Sequence, residues 1–143
     1  MTGDDVAAAL DGIVHEETQR GDSGVDLTVD AIHRVDRPGE IDFGGGELAP
    51  AETTPLDPEK RNADDDYGWW ELAAGQYLVA YNEHLESGRG PFVLQPRIEL
   101  VERGASHPTL FVDALPRVPL SVSDAGLALK ENARVSTLRA PPE

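Results

Sequence analysis

The side chains able to carry chemistry in this chain are carboxylates, arginines and a few histidines. There is no cysteine among the 143 residues. That removes thiolate nucleophiles, a disulfide frame, iron–sulfur clusters and Cys-ligated zinc. His84-Leu85-Glu86 carries the His-x-Glu half of a zinc-deaminase signature, but the half that needs two cysteines is missing, so the match is accidental. His15, His33, His84 and His107 show no paired ligand spacing and read as surface or structural residues. No zinc is expected. Asn62, Asp64 and Asp66 have the spacing of a calcium loop, yet Tyr67 stands where that loop needs glycine and the closing Glu is absent. A solvated acidic loop is the reading that remains. Arg97 can bind an anion with two parallel hydrogen bonds, or pair with Glu99 or Glu102 close by in the chain. Asp26 at a strand entry and Asp113 in a turn before Pro116 are residues that commonly bond their own backbone.

Charge narrows the partners. Twelve basic residues face 27 acidic ones, a formal net charge of −15. Such a surface repels phosphate backbones and anionic membranes, so neither nucleic acid nor a membrane is an expected partner. Only Lys60 and Lys130 are lysines; the other basic residues are arginines. Many carboxylates with almost no lysine suit a protein kept soluble in concentrated salt, where screening shrinks self-repulsion. No apolar run approaches the 18 residues of a membrane span. The opening MTGDDVAAAL lacks the basic region of a signal peptide, and a cytoplasmic location is expected.

The elements that must position these groups read as mostly β, in a single domain over 1–143. Val6, Leu10, Ile13 and Val14 recur at helical spacing within an N-terminal extension, 1–20, with Thr2 or Asp4 as cap. Residues 15–23 are polar and turn-like. Val25 to Ile32 alternates with period two, a half-buried strand. Arg37-Pro38-Gly39-Glu40 reads as a turn and Ile41-Asp42-Phe43 as a short strand. Residues 44–68, with three consecutive glycines, Pro50, Pro55, Pro58 and Asp64-Asp65-Asp66, read as a long exposed acidic loop. Strand follows strand thereafter: 69–72, 76–81, 92–95, 109–112, 118–122, 127–130 and 135–138. One short helix over 97–103 interrupts them, with Pro96 before it and Gly104 after. The pattern is that of a β-sandwich or barrel.

Gly24-Val25-Asp26-Leu27-Thr28-Val29 resembles the first motif, Gly-x-Asp-Leu, of the dUTPase and dCTP deaminase superfamily. Leu72-Ala73-Ala74-Gly75-Gln76-Tyr77-Leu78-Val79 with Glu83 resembles that family's Leu-x-Pro-Gly hairpin. Pro96 to Gly104 falls where the family has Pro-Arg-Ser-Ser-Leu-x-Arg-x-Gly, and Val112-Asp113-Ala114 where it has an Asp-x-Gly-Tyr turn. Ala133-Arg134-Val135-Ser136-Thr137-Leu138 is similar to the closing Gly-x-Arg-Ile-x-Gln-Leu strand. The order holds over about residues 20–139.

The resemblance implies a distorted β-barrel that forms a homotrimer, with deoxynucleoside triphosphate sites between subunits. In dUTPases the third-motif Asp orients the water that attacks the α-phosphorus of dUTP, with magnesium across the phosphates. In dCTP deaminases a Glu and a Ser-rich second motif hydrolyse the cytosine amine without zinc. Carried over, the resemblance makes Asp113 the catalytic carboxylate, Arg97 and Arg103 substrate-binding residues, and Asp26 a substrate-side residue able to hold a metal-bound water. Ile98 and Glu99 stand at the phosphate-facing serines, Glu102 at the second arginine, Leu115 and Pro116 at the turn glycine and aromatic, and Thr137 at the glutamine. A carboxylate in place of an arginine reverses an interaction of about 4 kcal/mol at 4 Å and an effective dielectric near 20. Two functions follow: an enzyme converting dUTP to dUMP and pyrophosphate or deaminating dCTP, and a non-catalytic relative that keeps the barrel and binds something else.

Overall fold

The computed structural model describes residues 2–142. It is 44% strand and 11% helix, so β pairing organises the chain, as the strand patterning requires. The longest element is β2 (Gly24–Arg37), preceded by helix α1 (Gly3–Ala8), strand β1 (Leu10–Asp11) and helix α2 (Glu16–Gln19). After it come β3 (Glu52–Pro55), β4 (Trp69–Leu72), β5 (Gly75–Tyr81), β6 (His84–Leu85), β7 (Phe92–Pro96) and helix α3 (Ile98–Glu102). The chain closes with β8 (Ala105–Ser106), β9 (Leu110–Val112), β10 (Val118–Val122), β11 (Leu127–Lys130) and β12 (Arg134–Arg139).

Strand β2 belongs to two halves of one curled sheet. Its first residues pair with β12, with Asp26 opposite Thr137, and β12 continues to β7 and β9. From Val29 onward it pairs with β5, which continues to β10 and β8, while β3 covers its far end. All these pairs are antiparallel, so one half-barrel wraps a core of Val25, Leu27, Val29, Ile32, Val79, Leu94, Leu120 and Leu138. Gly24 is required where β2 meets β12: a Cβ there would lie 2.6 Å from the Leu138 carbonyl oxygen.

Several expectations need correction. The helix over 97–103 and the helical spacing at the N-terminus become three helices. Residues 97–103 do form one, with Leu100 buried beneath it; at the N-terminus only Val6 of the four residues at helical spacing lies in α1, whose Thr2 and Asp5 make a reciprocal capping box, while Leu10 belongs to β1 and Ile13 and Val14 lie beyond it. Helix α2 lies in the stretch read as a turn: His15 Nδ1 accepts the Thr18 backbone N–H, enough to start one helical turn. Ile41-Asp42-Phe43 is not a strand. Asp42 instead accepts the N–H groups of Gly45 and Glu47, which curls the chain into a loop. The exposed loop over 44–68 is interrupted, because Thr53 and Thr54 find a free β2 edge. Strand β1 pairs with β6, and these two-residue strands, like β8, are too short to show a period. Trp69 and Trp70 do face opposite ways: Trp70 is core and donates to the Leu56 carbonyl, while Trp69 lies half-exposed under the Arg61 guanidinium, 3.6 Å from its ring centre.

Two polar networks cross the core. Glu83 is buried, and its carboxylate accepts from the Thr28 N–H at 2.9 Å, the Thr28 hydroxyl at 2.6 Å and Gln19 Nε2 at 2.8 Å. Gln19 Nε2 also donates to the Asp26 carbonyl, and its oxygen accepts from the Val14 and His15 N–H groups. The second network joins β5, β12 and the segment before β9. His107 Nδ1 lies 2.9 Å from the Pro108 carbonyl, which can only accept, so Nδ1 carries the proton and Nε2 accepts from the Ser136 hydroxyl at 2.7 Å. The Tyr81 hydroxyl then donates to Ser136 at 2.6 Å.

Burial lowers the pKa of His107 below the usual histidine value, against the pull of the Pro108 carbonyl, so the folded state holds it neutral. Its contribution is present above pH 6.5 and lost as pH falls from there through the lowered folded value. The slope of unfolding free energy with pH should reach at most about 1.4 kcal/mol per unit in that window. Chemical denaturation between pH 7.5 and 5 measures it, and His107→Phe should flatten the slope. At the other network, Glu83→Ala strands three donors and should cost about 3 kcal/mol, read from the denaturation midpoint.

Candidate functional site

The first-motif aspartate and two arginines meet at one end of the β12 side of the sheet. Asp26, on β2, points outward opposite Thr137 of β12. Its Oδ1 accepts the Thr137 hydroxyl at 2.8 Å. Its Oδ2 lies 3.1 Å from an Arg134 terminal nitrogen and 3.3 Å from Arg97 Nε. Asp26 and Arg97 are mostly shielded, with side chains 19% and 16% exposed. The carboxylate therefore bonds to other strands, and not to its own turn.

Arg97 follows β7 and caps α3. Its backbone N–H donates to the Val135 carbonyl, and its guanidinium donates to the Arg134 carbonyl at 3.2 Å and to Glu99 at 2.5 Å. Glu99 is the more exposed partner, at 48%. Arg103, at the far end of α3, donates to the Glu99 carbonyl at 3.0 Å. Ile98, beside Arg97, projects its side chain into solvent. Three guanidiniums and the carboxylates of Asp26 and Glu99 thus gather around one corner, in a chain where cations are scarce.

Arg134 is the site residue that reading the sequence left out, although it stood in a quoted motif. Arg134 and Thr137 are three residues apart, and in a regular strand they would face opposite sides. The pairing of β12 with β2 shifts between Arg134 and Ser136, so one extra residue, Val135, sits in the ladder. Val135 and Ser136 both turn inward, and Arg134 and Thr137 both reach Asp26. Gln19 was also missed. Its signal is only its placement, since no motif holds it.

Asp113 stands apart. Strand β9 runs beside β7 with Val112 opposite Phe92, so Asp113 lies beyond the Phe92 end of β7, its Oδ1 3.0 Å from where a Cβ on Gly90 would sit. Arg97 lies past the other end. At about 3.3 Å per residue, the five steps between Phe92 and Arg97 put the two groups about 16 Å apart. One chain brings Asp26, Arg97 and Arg103 together and leaves Asp113 exposed elsewhere. The described residues contain no group of three or more His, Cys, Asp or Glu side chains placed to hold a metal ion. No helix among them is long and apolar enough to cross a membrane.

Comparison with known proteins follows the same lines. No family model matches the sequence. The chain is 32% identical over 135 residues to a probable deoxyuridine 5'-triphosphate nucleotidohydrolase of Methanosarcina acetivorans, covering 90% of this chain and 75% of that protein. It is 30% identical, over the same shares, to the protein of that name in Methanosarcina mazei. Among solved structures it resembles the 2'-deoxycytidine 5'-triphosphate deaminase of Agrobacterium tumefaciens, with a TM-score of 0.58 and 13% identity over 97% of this chain. The chain spans 46% of that deaminase chain, and at that identity the likeness shows the fold alone. The outward Asp26, the arginines around it, the half-barrel that holds them and these relatives agree, and the chain belongs to the dUTPase and dCTP deaminase superfamily.

Proposed function

We propose that this protein binds a deoxynucleoside triphosphate in a homotrimer, with dUTP as substrate and hydrolysis to dUMP and pyrophosphate as a slow reaction. The observation that carries this reading is the gathering of Arg97, Arg134 and Arg103 at one partly shielded corner of a strongly acidic chain. Guanidiniums suit phosphate oxygens because their paired N–H groups match them in plane. The dUTP preference rests on the relatives' names.

In this reading Arg97 and Arg134 take the phosphates, and Asp26 holds both guanidiniums in place. A neighbouring copy supplies Asp113, because its own is about 16 Å away along β7. Asp113 accepts a proton from the attacking water as a bond forms from that water's oxygen to the α-phosphorus. Pyrophosphate leaves with the electrons of the broken P–O bond. The described residues offer no magnesium cage of their own: both carboxylates at the corner, Asp26 and Glu99, already serve arginines. Magnesium is then a component of the substrate complex, riding on the triphosphate, and no step is assigned to it.

Glu99 slows this chemistry. It occupies the Arg97 nitrogen that a phosphate oxygen would need, and it must leave first. Ile98 offers no hydroxyl, and Glu102 adds a negative charge. Losing one preorganised donor costs about 10²–10³ in rate, so turnover far below an ordinary enzyme's is expected. The same Glu99–Arg97 pair supports a second reading, a non-catalytic relative that binds without hydrolysing.

Thermal shift in molar salt, with dUTP, dCTP and magnesium, separates these. Ligand at 100 times its dissociation constant should raise the melting temperature by about 10 °C. Ile98→Ser with Glu99→Ser and Glu102→Arg should tighten dUTP at least tenfold, and adding Arg97→Ala should cancel the gain. Asp113→Asn should abolish pyrophosphate release from dUTP while leaving the shift intact. Binding with no turnover in either parent or triple variant selects the non-catalytic reading. No shift with any nucleotide overturns both.

A further inference from the structure

Two features at opposite ends of the molecule lie outside the site. The first is a knob. Beyond β2, the N–H and carbonyl of Glu40 pair with those of Ala49, and Asp42 ties off the tip by accepting from Gly45 and Glu47. This loop is built from its own hydrogen bonds, yet it presents Ile41 at 91% exposure, a fully exposed Phe43 and an exposed Leu48. Glu40 and Glu47 flank them. Clustered exposed apolar side chains on an ordered tip mark a contact surface.

The second is a groove of about 800 Å³ at the start of β2, where Val93, Phe111, Pro141 and Pro142 form the apolar walls. Arg139 lines it too. Among the described residues Arg139 has no ion-pair partner, and its Nε is shut off from solvent with nothing to donate to. A shielded guanidinium nitrogen without an acceptor is costly. An apolar wall beside a guanidinium that no described carboxylate pairs with fits an apolar side chain that arrives with a carboxylate beside it.

We infer that the knob of one copy seats in the groove of a second copy, Phe43 and Ile41 against Phe111 and Val93, with Glu47 or Glu40 reaching Arg139. The occupant is another copy because every chain carries both halves with matching chemistry and charge. A chain cannot fill its own groove: knob and groove lie beyond opposite ends of β2, whose 14 residues span as much as about 40 Å. The contact is therefore head-to-tail, which closes into a ring or runs on as a filament. It rests on the homotrimer reading above and gives it a surface.

Light scattering in molar salt tests both readings separately. The unaltered protein should run as a multiple of 15.4 kDa. Phe43→Ser with Ile41→Ser, and separately Arg139→Glu with Phe111→Ser, should each run at 15.4 kDa with an unchanged circular dichroism spectrum. Mixed together, the knobless and grooveless chains keep one good contact and should pair at twice that mass and no higher. An assembled parent with variants that stay assembled overturns the knob-and-groove contact and leaves the trimer standing. A parent at 15.4 kDa overturns the trimer as well. Monomeric variants that keep the parent's spectrum and do not pair on mixing overturn the head-to-tail geometry; if the groove variant loses that spectrum, Arg139→Gln with Phe111 intact takes its place, and its assembling as the parent does overturns the contact with Arg139.

Discussion

A buried carboxylate fixes the frame on which the arginine corner is built. Glu83 follows β5 and reaches across to β2, where it takes both the N–H and the hydroxyl of Thr28. An ionisable group so far from water is tolerated only when its oxygens are satisfied, and here the satisfying groups are the ones that need placing. Gln19 ties the same carboxylate to the Asp26 carbonyl, two residues along β2. The backbone on both sides of Leu27 is held from within, so the Asp26 side chain emerges at one height and angle. Asn82 extends the hold, donating to the Thr28 hydroxyl and to Asn132 in the turn that leads into β12. The two strands that form the corner are thus pinned at one crossing.

How far the sequence discloses this depends on whether a feature is periodic. Strands such as Val118–Val122 alternate cleanly and were legible as they stand. Gly24 and Asp26 were legible through a motif, and the steric reason for the glycine appears only when the Leu138 carbonyl is seen against it. Irregular elements were not legible. Helix α2 depends on one histidine cap, β3 on a free edge supplied by a distant strand, and the position of Arg134 on a single extra residue in β12. The first is decided by one neighbouring side chain and the other two by a strand far away in the chain, and a period encodes neither. Asp113 shows another limit: a motif match names it, and only the pairing of β9 with β7 shows that it lies far along the sheet from Arg97.

Charge is distributed as unevenly as structure. Most arginines on the outer surface hold one nearby carboxylate in an exposed pair, as Arg37 does with Glu52 and Arg89 with Glu86. Such pairs contribute little, about 0–1 kcal/mol each, and salt screens them. The pairs around Asp26 are different because water is partly excluded and a hydroxyl fixes the carboxylate from the other side. In concentrated salt the outer pairs fade first, and the corner keeps its shape.

The extra residue in β12 binds two fates into one. It turns Arg134 out toward Asp26, and it turns Ser136 in toward His107 and Tyr81. A deletion that restored regular pairing would empty the corner and unseat the interior hydroxyl at one stroke. Helix α3 has no such entanglement: Ile98 and Val101 lie in solvent, and no side chain caps its start. The molecule therefore has a part that substitution can rewrite cheaply, the outer face of α3 around Ile98, Glu99 and Glu102, and a part that it can alter only by giving up the fold.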